Sequence, residues 1–194
     1  MIKKTILLFL SFFLLFGFSI AQKESNETTK IYWSDWYNIE WADFQGKPNT
    51  EESIAAQSSI GLPYSFISDG EGEMTVMINV CFIKNESWSK IDKRNNVLLQ
   101  HEQLHFNIAE LNRRMIVKNL LEATFTKENH RELLDEIVKE GWLKTYREMQ
   151  DEYDAETNYS RNFSEQINWN RFVKQELKNY EEYNYTELKI SLIN

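Results

Sequence analysis

Cysteine is nearly absent from this 194-residue chain, Cys81 being the only one. A lone thiol closes no intrachain disulfide, so the fold must rest on packing and, where ligands allow, on a metal. Cys81 lies in the apolar run Val76-Met77-Ile78-Asn79-Val80-Cys81-Phe82 and reads as a small buried hydrophobe. No cysteine–histidine motif accompanies it, which argues against a nucleophilic role. Cationic clusters are missing as well. The 22 Lys and Arg are scattered among 30 Asp and Glu, giving a net charge of −8. Such a chain is unsuited to nucleic acid or to an anionic membrane surface. Neither an internal repeat nor a low-complexity tract is present.

Long apolar runs are equally scarce. The one at Ile6–Phe18 follows Lys3 and Lys4 and precedes Ser19-Ile20-Ala21. Basic start, apolar centre and small-residue end are the parts of a signal peptide, expected over residues 1–21. The run is short of the roughly 20 residues that span a bilayer, so no stable membrane insertion is expected after cleavage. No cysteine follows the expected cleavage site to mark a lipid anchor. Export, to the medium or to a periplasm where the cell has one, is the expected destination. Loss of Lys3 and Lys4 takes the charge from −8 to −10. Residues 22–30 read as a polar, flexible lead, and 31–194 as a single domain with a sizeable, aromatic-rich core.

Histidine is rare too, and its placement is informative. Two of three histidines fall in His101-Glu102-Gln103-Leu104-His105. Side chains four apart share a helix face, so both imidazoles can hold one divalent ion. Glu102 is then placed to take a proton from a water that the ion acidifies. This is the HExxH pattern of zinc metallopeptidases. The competing reading is an amphipathic helix that carries two polar rings. Apolar residues before and after the motif, from Val97 to Ile116, predict a buried helix over about 96–121, with Asn95 or Asn96 as N-cap. No Gly or Pro breaks it.

Upstream, aromatics crowd residues 31–44, and Gly46-Lys47-Pro48-Asn49 makes a turn. Residues 58–67 and 74–83 read as two strands of an antiparallel hairpin around Asp69-Gly70-Glu71-Gly72-Glu73, with Pro63 marking an edge or irregular pairing. Downstream, residues 128–150 predict a helix interrupted at Gly141. Ser164-Glu165 is expected to cap a last helix reaching Tyr180, and 188–193 to form a short strand. Strands first and helices afterwards indicate an α+β fold: a small N-terminal antiparallel sheet, a zincin-like HExxH helix, then further helices.

A catalytic zinc usually takes three protein ligands. Leu111 stands where an extended motif would carry a third histidine, and Glu110 is rotated off the histidine face, which assigns it to the helix surface. His130 lies in a charged stretch and reads more readily as a solvated side chain than as a ligand. Tyr153-Asp154-Ala155-Glu156-Thr157-Asn158-Tyr159-Ser160 reads as a loop that can face a metal, with Asp154 as a carboxylate ligand or Tyr159 as a phenolate. It reads equally as an ordinary capping loop.

Several blocks in order resemble the family of predicted secreted zinc-dependent proteases, an exported bacterial domain. They are Ile39-Glu40-Trp41-Ala42-Asp43-Phe44-Gln45-Gly46-Lys47-Pro48, Ser87-Trp88, the stretch Leu98 to Glu110 around the histidines, Tyr153 to Ser160, Gln166 and Trp169. The resemblance implies a zincin-like peptidase over nearly the whole mature chain, with zinc on His101 and His105. In that family the position of Tyr159 carries a histidine, the third ligand. This sequence departs there, so Tyr159 ligates in its stead, Asp154 takes over, or the site has lost affinity. The expected activity is hydrolysis of a peptide or protein substrate, with Glu102 as general base and Tyr153 or Tyr159 donating to the oxyanion. An edge of the 58–83 hairpin is expected to bind extended substrate. The alternative is a non-catalytic envelope or secreted binding protein on a degenerate scaffold, with Trp33, Trp36 and Trp41 as an exposed aromatic face.

Overall fold

The computed structural model describes residues 29–194, with 50, 52 and 71 excepted. The expected signal peptide and most of the polar lead lie outside the described residues. Short antiparallel strands precede a run of helices, the expected α+β order. Strands β1 (Lys30–Tyr32) and β3 (Ile60–Gly61) flank β6 (Cys81–Ile83). Strand β2 (Ala56–Gln57) pairs with β7 (Trp88–Ser89), and β5 (Glu73–Ile78) lies between β4 (Tyr64–Ser68) and β8 (Glu187–Ser191).

The hairpin forms as β4 and β5, in a register that pairs Ser68 with Met74. Gly70 turns it with φ +75°, in the left-handed region that favours glycine. Both expected strands are shorter than predicted because each changes sheet midway. Residues 60–68 split at Leu62-Pro63, and 73–83 split at Asn79-Val80. The two breaks face each other, since Asn79 N donates to Pro63 O at 3.0 Å. Proline has no N–H to extend a ladder, so the corner falls there. Along β5 the alternation sends Met74, Val76 and Ile78 into the core, where Leu188 and Ile190 of β8 join them.

Helix α1 (Asn96–Glu122) is the axis of the molecule. Its N-cap is Asn95, whose side chain accepts from Leu98 N at 3.0 Å. Three apolar clusters share it. Leu98, Phe106 and Ala109 meet the aromatic N-terminal segment; Leu104 and Ile108 meet the C-terminal helices; Ile116, Val117 and Leu120 meet β5 and β8. Buried residues make up 15 of its 27, so the helix runs through the interior rather than along one face. Glu110 illustrates the difference. Expected at the surface, it is 1% exposed and accepts from Arg113 Nη2 at 2.6 Å and Arg114 Nε at 2.8 Å. Arg113 Nε completes a bidentate fork at 2.8 Å, and its Nη1 reaches the Tyr185 carbonyl.

The later helices are α2 (His130–Lys139), a π-helical segment (Glu140–Tyr146), α3 (Arg147–Glu156) and α4 (Phe163–Asn179). The helical path was expected to break at Gly141; it continues through that residue as far as Glu156. Gly141 is needed for a close approach, because a Cβ there would lie 2.3 Å from Ile116 Cγ1. A π turn leaves backbone groups to satisfy. Asn112, buried on α1, does so: with its amide oriented to serve both, it donates to Gly141 O at 2.7 Å and accepts from Tyr146 N at 3.3 Å. Asn162, not Ser164, caps α4, its side chain accepting from Glu165 N at 3.4 Å. No helix among the described residues is long and apolar enough to cross a membrane.

Candidate metal centre

One turn of α1 separates His101 from His105, and α3 lays Asp154 against both rings. The two Nε2 atoms are 3.2 Å apart. Asp154 Oδ1 lies 3.0 Å from that of His101 and 3.1 Å from that of His105. These three ligand atoms form the group among the described residues that can hold a metal ion. Of the candidates for third ligand, Asp154 is the one brought to the histidines. It comes from the last turn of a helix, not from the loop expected at 153–160, which is confined to the residues after Glu156.

The other candidates sit elsewhere. Tyr159 is 49% exposed and lines the adjoining cavity, and among the described residues its phenol makes no hydrogen bond to the cluster. His130 opens α2, away from the site. Expected in solvent, it is buried edge-on against Phe66, with Nδ1 donating to Lys127 O at 2.9 Å.

Two glutamines set the protons on the rings. Gln150 Nε2 donates to His105 O at 3.0 Å, which turns its Oε1 toward His105 Nδ1. Gln166 Nε2 is occupied by Tyr153 Oη at 2.7 Å and Asn170 Oδ1 at 3.1 Å, leaving its Oε1 to face His101 Nδ1 at 3.1 Å. An amide oxygen only accepts, so each Nδ1 carries the proton and each Nε2 presents a lone pair. With the Asp154 carboxylate, three acceptors then converge and no donor stands between them. A cation satisfies this trio, and so does a proton on His105. Burial opposes that charge, but the Asp154 hydrogen bond and the fields of Glu102 and Asp154 raise the His105 pKa. For Asp154, burial is likewise the largest effect and opposes its charge, but the neighbouring His101 and His105 outweigh it and hold its carboxyl well below the usual range.

Glu102 is buried beside the histidines, and its Oε2 accepts from Ser58 Oγ at 2.7 Å. Both residues border a cavity of about 780 Å³ that reaches the ligand trio. One wall is the segment 53–58, which includes β2; the other is the face of α3 that carries Gln150 and Asp154, with the turn at 158–161. Of the expected 58–83 hairpin, Ser58 and Ile60 line the cavity; the rest of that wall is the segment before it. Lys90 N donates to Ala55 O at 2.8 Å, so the backbone groups of Ala55 and Gln57 face β7. Those of Ala56, which lines the cavity, point away from β7.

Tyr153 corrects an expectation. It is 0% exposed, stacked on His101 with ring centroids 4.6 Å apart. Its hydroxyl lies 3.2 Å from His101 O and 2.9 Å from Gln166 Oε1, engaged inside the protein rather than open to an oxyanion. Burial pushes its pKa far up and keeps it neutral. Its role is to position His101. The tryptophans form no common exposed face either: Trp33 and Trp41 pack on the cluster that includes Leu98, Phe106 and Ala109, and Trp36 alone of the three projects, 82% exposed. Gln150, Gln166 and Ser58 were not foreseen as site residues. The spacing of Gln150, four before Asp154 on one helix face, was the available signal. Comparison with protein-family models, curated proteins and solved structures finds no match for this chain.

Proposed function

We propose that the protein is an exported zinc-dependent hydrolase that cleaves peptide bonds, of the kind its resemblance to secreted zinc proteases implies. The observation that carries this reading is the convergence of His101 Nε2, His105 Nε2 and Asp154 Oδ1, with both ring protons held on the far side, at the floor of an open cavity. Two nitrogens and a carboxylate oxygen suit zinc, and three protein ligands beside a cavity are the pattern of a catalytic rather than a closed structural site. Bound there, zinc supplies a Lewis acid for the substrate carbonyl and for a water. Glu102 takes the proton of the attacking water and delivers it to the departing amine. The Ser58 hydrogen bond fixes the Glu102 carboxylate for that transfer. The outward edge of β2 offers backbone groups to an extended peptide.

The test combines metal analysis with hydrolysis. Wild-type protein should contain one zinc and cleave casein. Glu102→Gln should keep the zinc and lose cleavage, and His105→Ala should lose both. A zinc-loaded wild type that cleaves neither casein nor peptides would overturn the hydrolase reading in favour of a binding protein on the same scaffold.

A further inference from the structure

Beyond the ligands and Glu102, the cavity carries an excess of cations. Arg147 lies on the α3 face that also bears Gln150 and Asp154; Arg161 follows the turn after α3; Lys93 closes the short helix Ile91–Lys93. Among the described residues, and apart from Asp154 and Glu102, Asp151 is the sole carboxylate on the lining. Three cations against one acid is the reverse of a chain whose net charge is −8. Neither arginine has an ion pair among the described residues, and Lys93 meets only its neighbour Asp92, at 3.2 Å, where both are well exposed.

The backbone that presents Arg161 is strained. Asn158, Tyr159 and Ser160 have φ of 48°, 51° and 71°, three successive left-handed residues without a glycine. Such a run costs free energy and persists only where its surroundings hold it. Here Tyr159 N donates to Asp154 O at 2.9 Å, and Asn162 N to Thr157 O at 2.7 Å. Thr157 Oγ1 adds a bond to Tyr153 O at 2.6 Å. The turn is therefore tied to the same helix end that carries the metal ligand. Across the cavity, the edge of β2 favours an extended chain, whose side chains alternate about its axis.

Building on the peptidase reading, we propose that the cleft selects peptides bearing Asp or Glu side chains beside the bond to be cut. Arg147 and Arg161 are the specificity-determining cations, and Lys93 adds to the attraction at the opposite wall. Guanidinium groups match carboxylates in a planar, two-pronged geometry, which gives side-chain selectivity as well as attraction.

The experiment measures binding separately from cleavage. Zinc-loaded Glu102→Gln protein is titrated with dansyl-labelled, end-capped octapeptides of Ala and Ser that carry two Glu, two Gln or two Lys at matched positions. The Glu peptide should bind about tenfold more tightly than the Gln peptide, and the Lys peptide more weakly than either. The Glu preference should vanish when Arg147→Gln and Arg161→Gln are combined, and reverse toward Lys when Arg147→Glu and Arg161→Glu are combined. Zinc content and circular dichroism verify that these variants remain folded. Equal affinity for all three peptides, no peptide binding, or a Glu preference that survives both arginine substitutions would overturn the proposal. Displacement of the Glu peptide by oligogalacturonate at lower concentration than by its own unlabelled form would also overturn it, assigning the cations to acidic polysaccharide. The two readings fail separately: casein cleavage without Glu preference refutes only this proposal, and Glu-peptide binding without any cleavage by wild type refutes only the hydrolase.

Discussion

Gln150 grips His105 twice, donating from Nε2 to its carbonyl at 3.0 Å and accepting from its Nδ1 through Oε1. Because one end of the amide is committed to a carbonyl, the other end must meet a proton. His105 is thereby held in the tautomer that aims a lone pair at Asp154. The supporting pair for the histidines is neutral, Gln150 on one ring and Gln166 on the other, so the Asp154 carboxylate is the only formal charge among ligands and immediate supports.

Removing these supports should weaken the metal without removing a ligand. Gln150→Ala and Gln166→Ala should each lower zinc affinity by about 10–100-fold, measured by chelator competition. Asp154→Ala should abolish stoichiometric binding. Tyr159→Phe should leave it unchanged, since that phenol has no bond to the cluster.

Glu110 balances two guanidinium groups inside the protein. Its removal leaves both without their shared carboxylate in a region closed to water. Glu110→Ala should cost about 3–5 kcal/mol of stability in denaturant unfolding at neutral pH. A loss below about 1 kcal/mol would mean that water reaches Arg113 and Arg114.

Gly141→Ala should destabilise by about 1–3 kcal/mol, because the new methyl meets Ile116 and the π turn has little room to yield. Ile116→Ala in the same chain should cost less than the sum of the two single changes. Additive losses in the double-mutant cycle would contradict the contact.

Asp43 links pH to stability near the N-terminal aromatic cluster. Burial opposes its charge, but the Glu40 N–H, the Tyr37 hydroxyl and Lys84 hold its carboxyl below the ordinary value. A lowered folded-state pKa gives stability that is present above the unfolded value of about 3.9 and lost as pH falls through the folded one. Asp43→Asn should therefore flatten the acid limb of the stability profile below about pH 4. Tyr37 reports the same contact from the other side. Burial first, then Asp43, pushes its pKa up to about 12, so its contribution is present below the unfolded value of about 10 and lost as pH rises toward the folded one.

The histidine pair, its helix and its cap were legible from spacing, because period and N-cap chemistry are local. Asp154 as the residue that joins the histidines was legible only as one of several candidates, and the reason lies at Gly141. A glycine in a charged helical stretch lowers helix propensity, which suggests an end; its actual cause is the side chain of Ile116, 25 positions away in sequence and invisible to any window. Glu110 was read correctly as off the histidine face. Periodicity states which residues share a face, however, not how many faces meet other elements, and α1 is covered on several. The strand breaks at Pro63 and Asn79 depend on which sheet each half joins, again a long-range choice.

The wide turn over residues 140–146 also fixes the angular phase of α3 relative to α2. Each α-helical residue advances about 100° around the axis. Drawing that turn into ordinary α-helix with no residue removed would over-rotate the chain and swing Gln150 and Asp154 away from the imidazoles together, while stranding the amide of Asn112. Loops on this molecule can lengthen or shorten at modest cost; the span from Gly141 to Asp154 works as a screw thread, whose altered pitch over the wide turn keeps the site engaged.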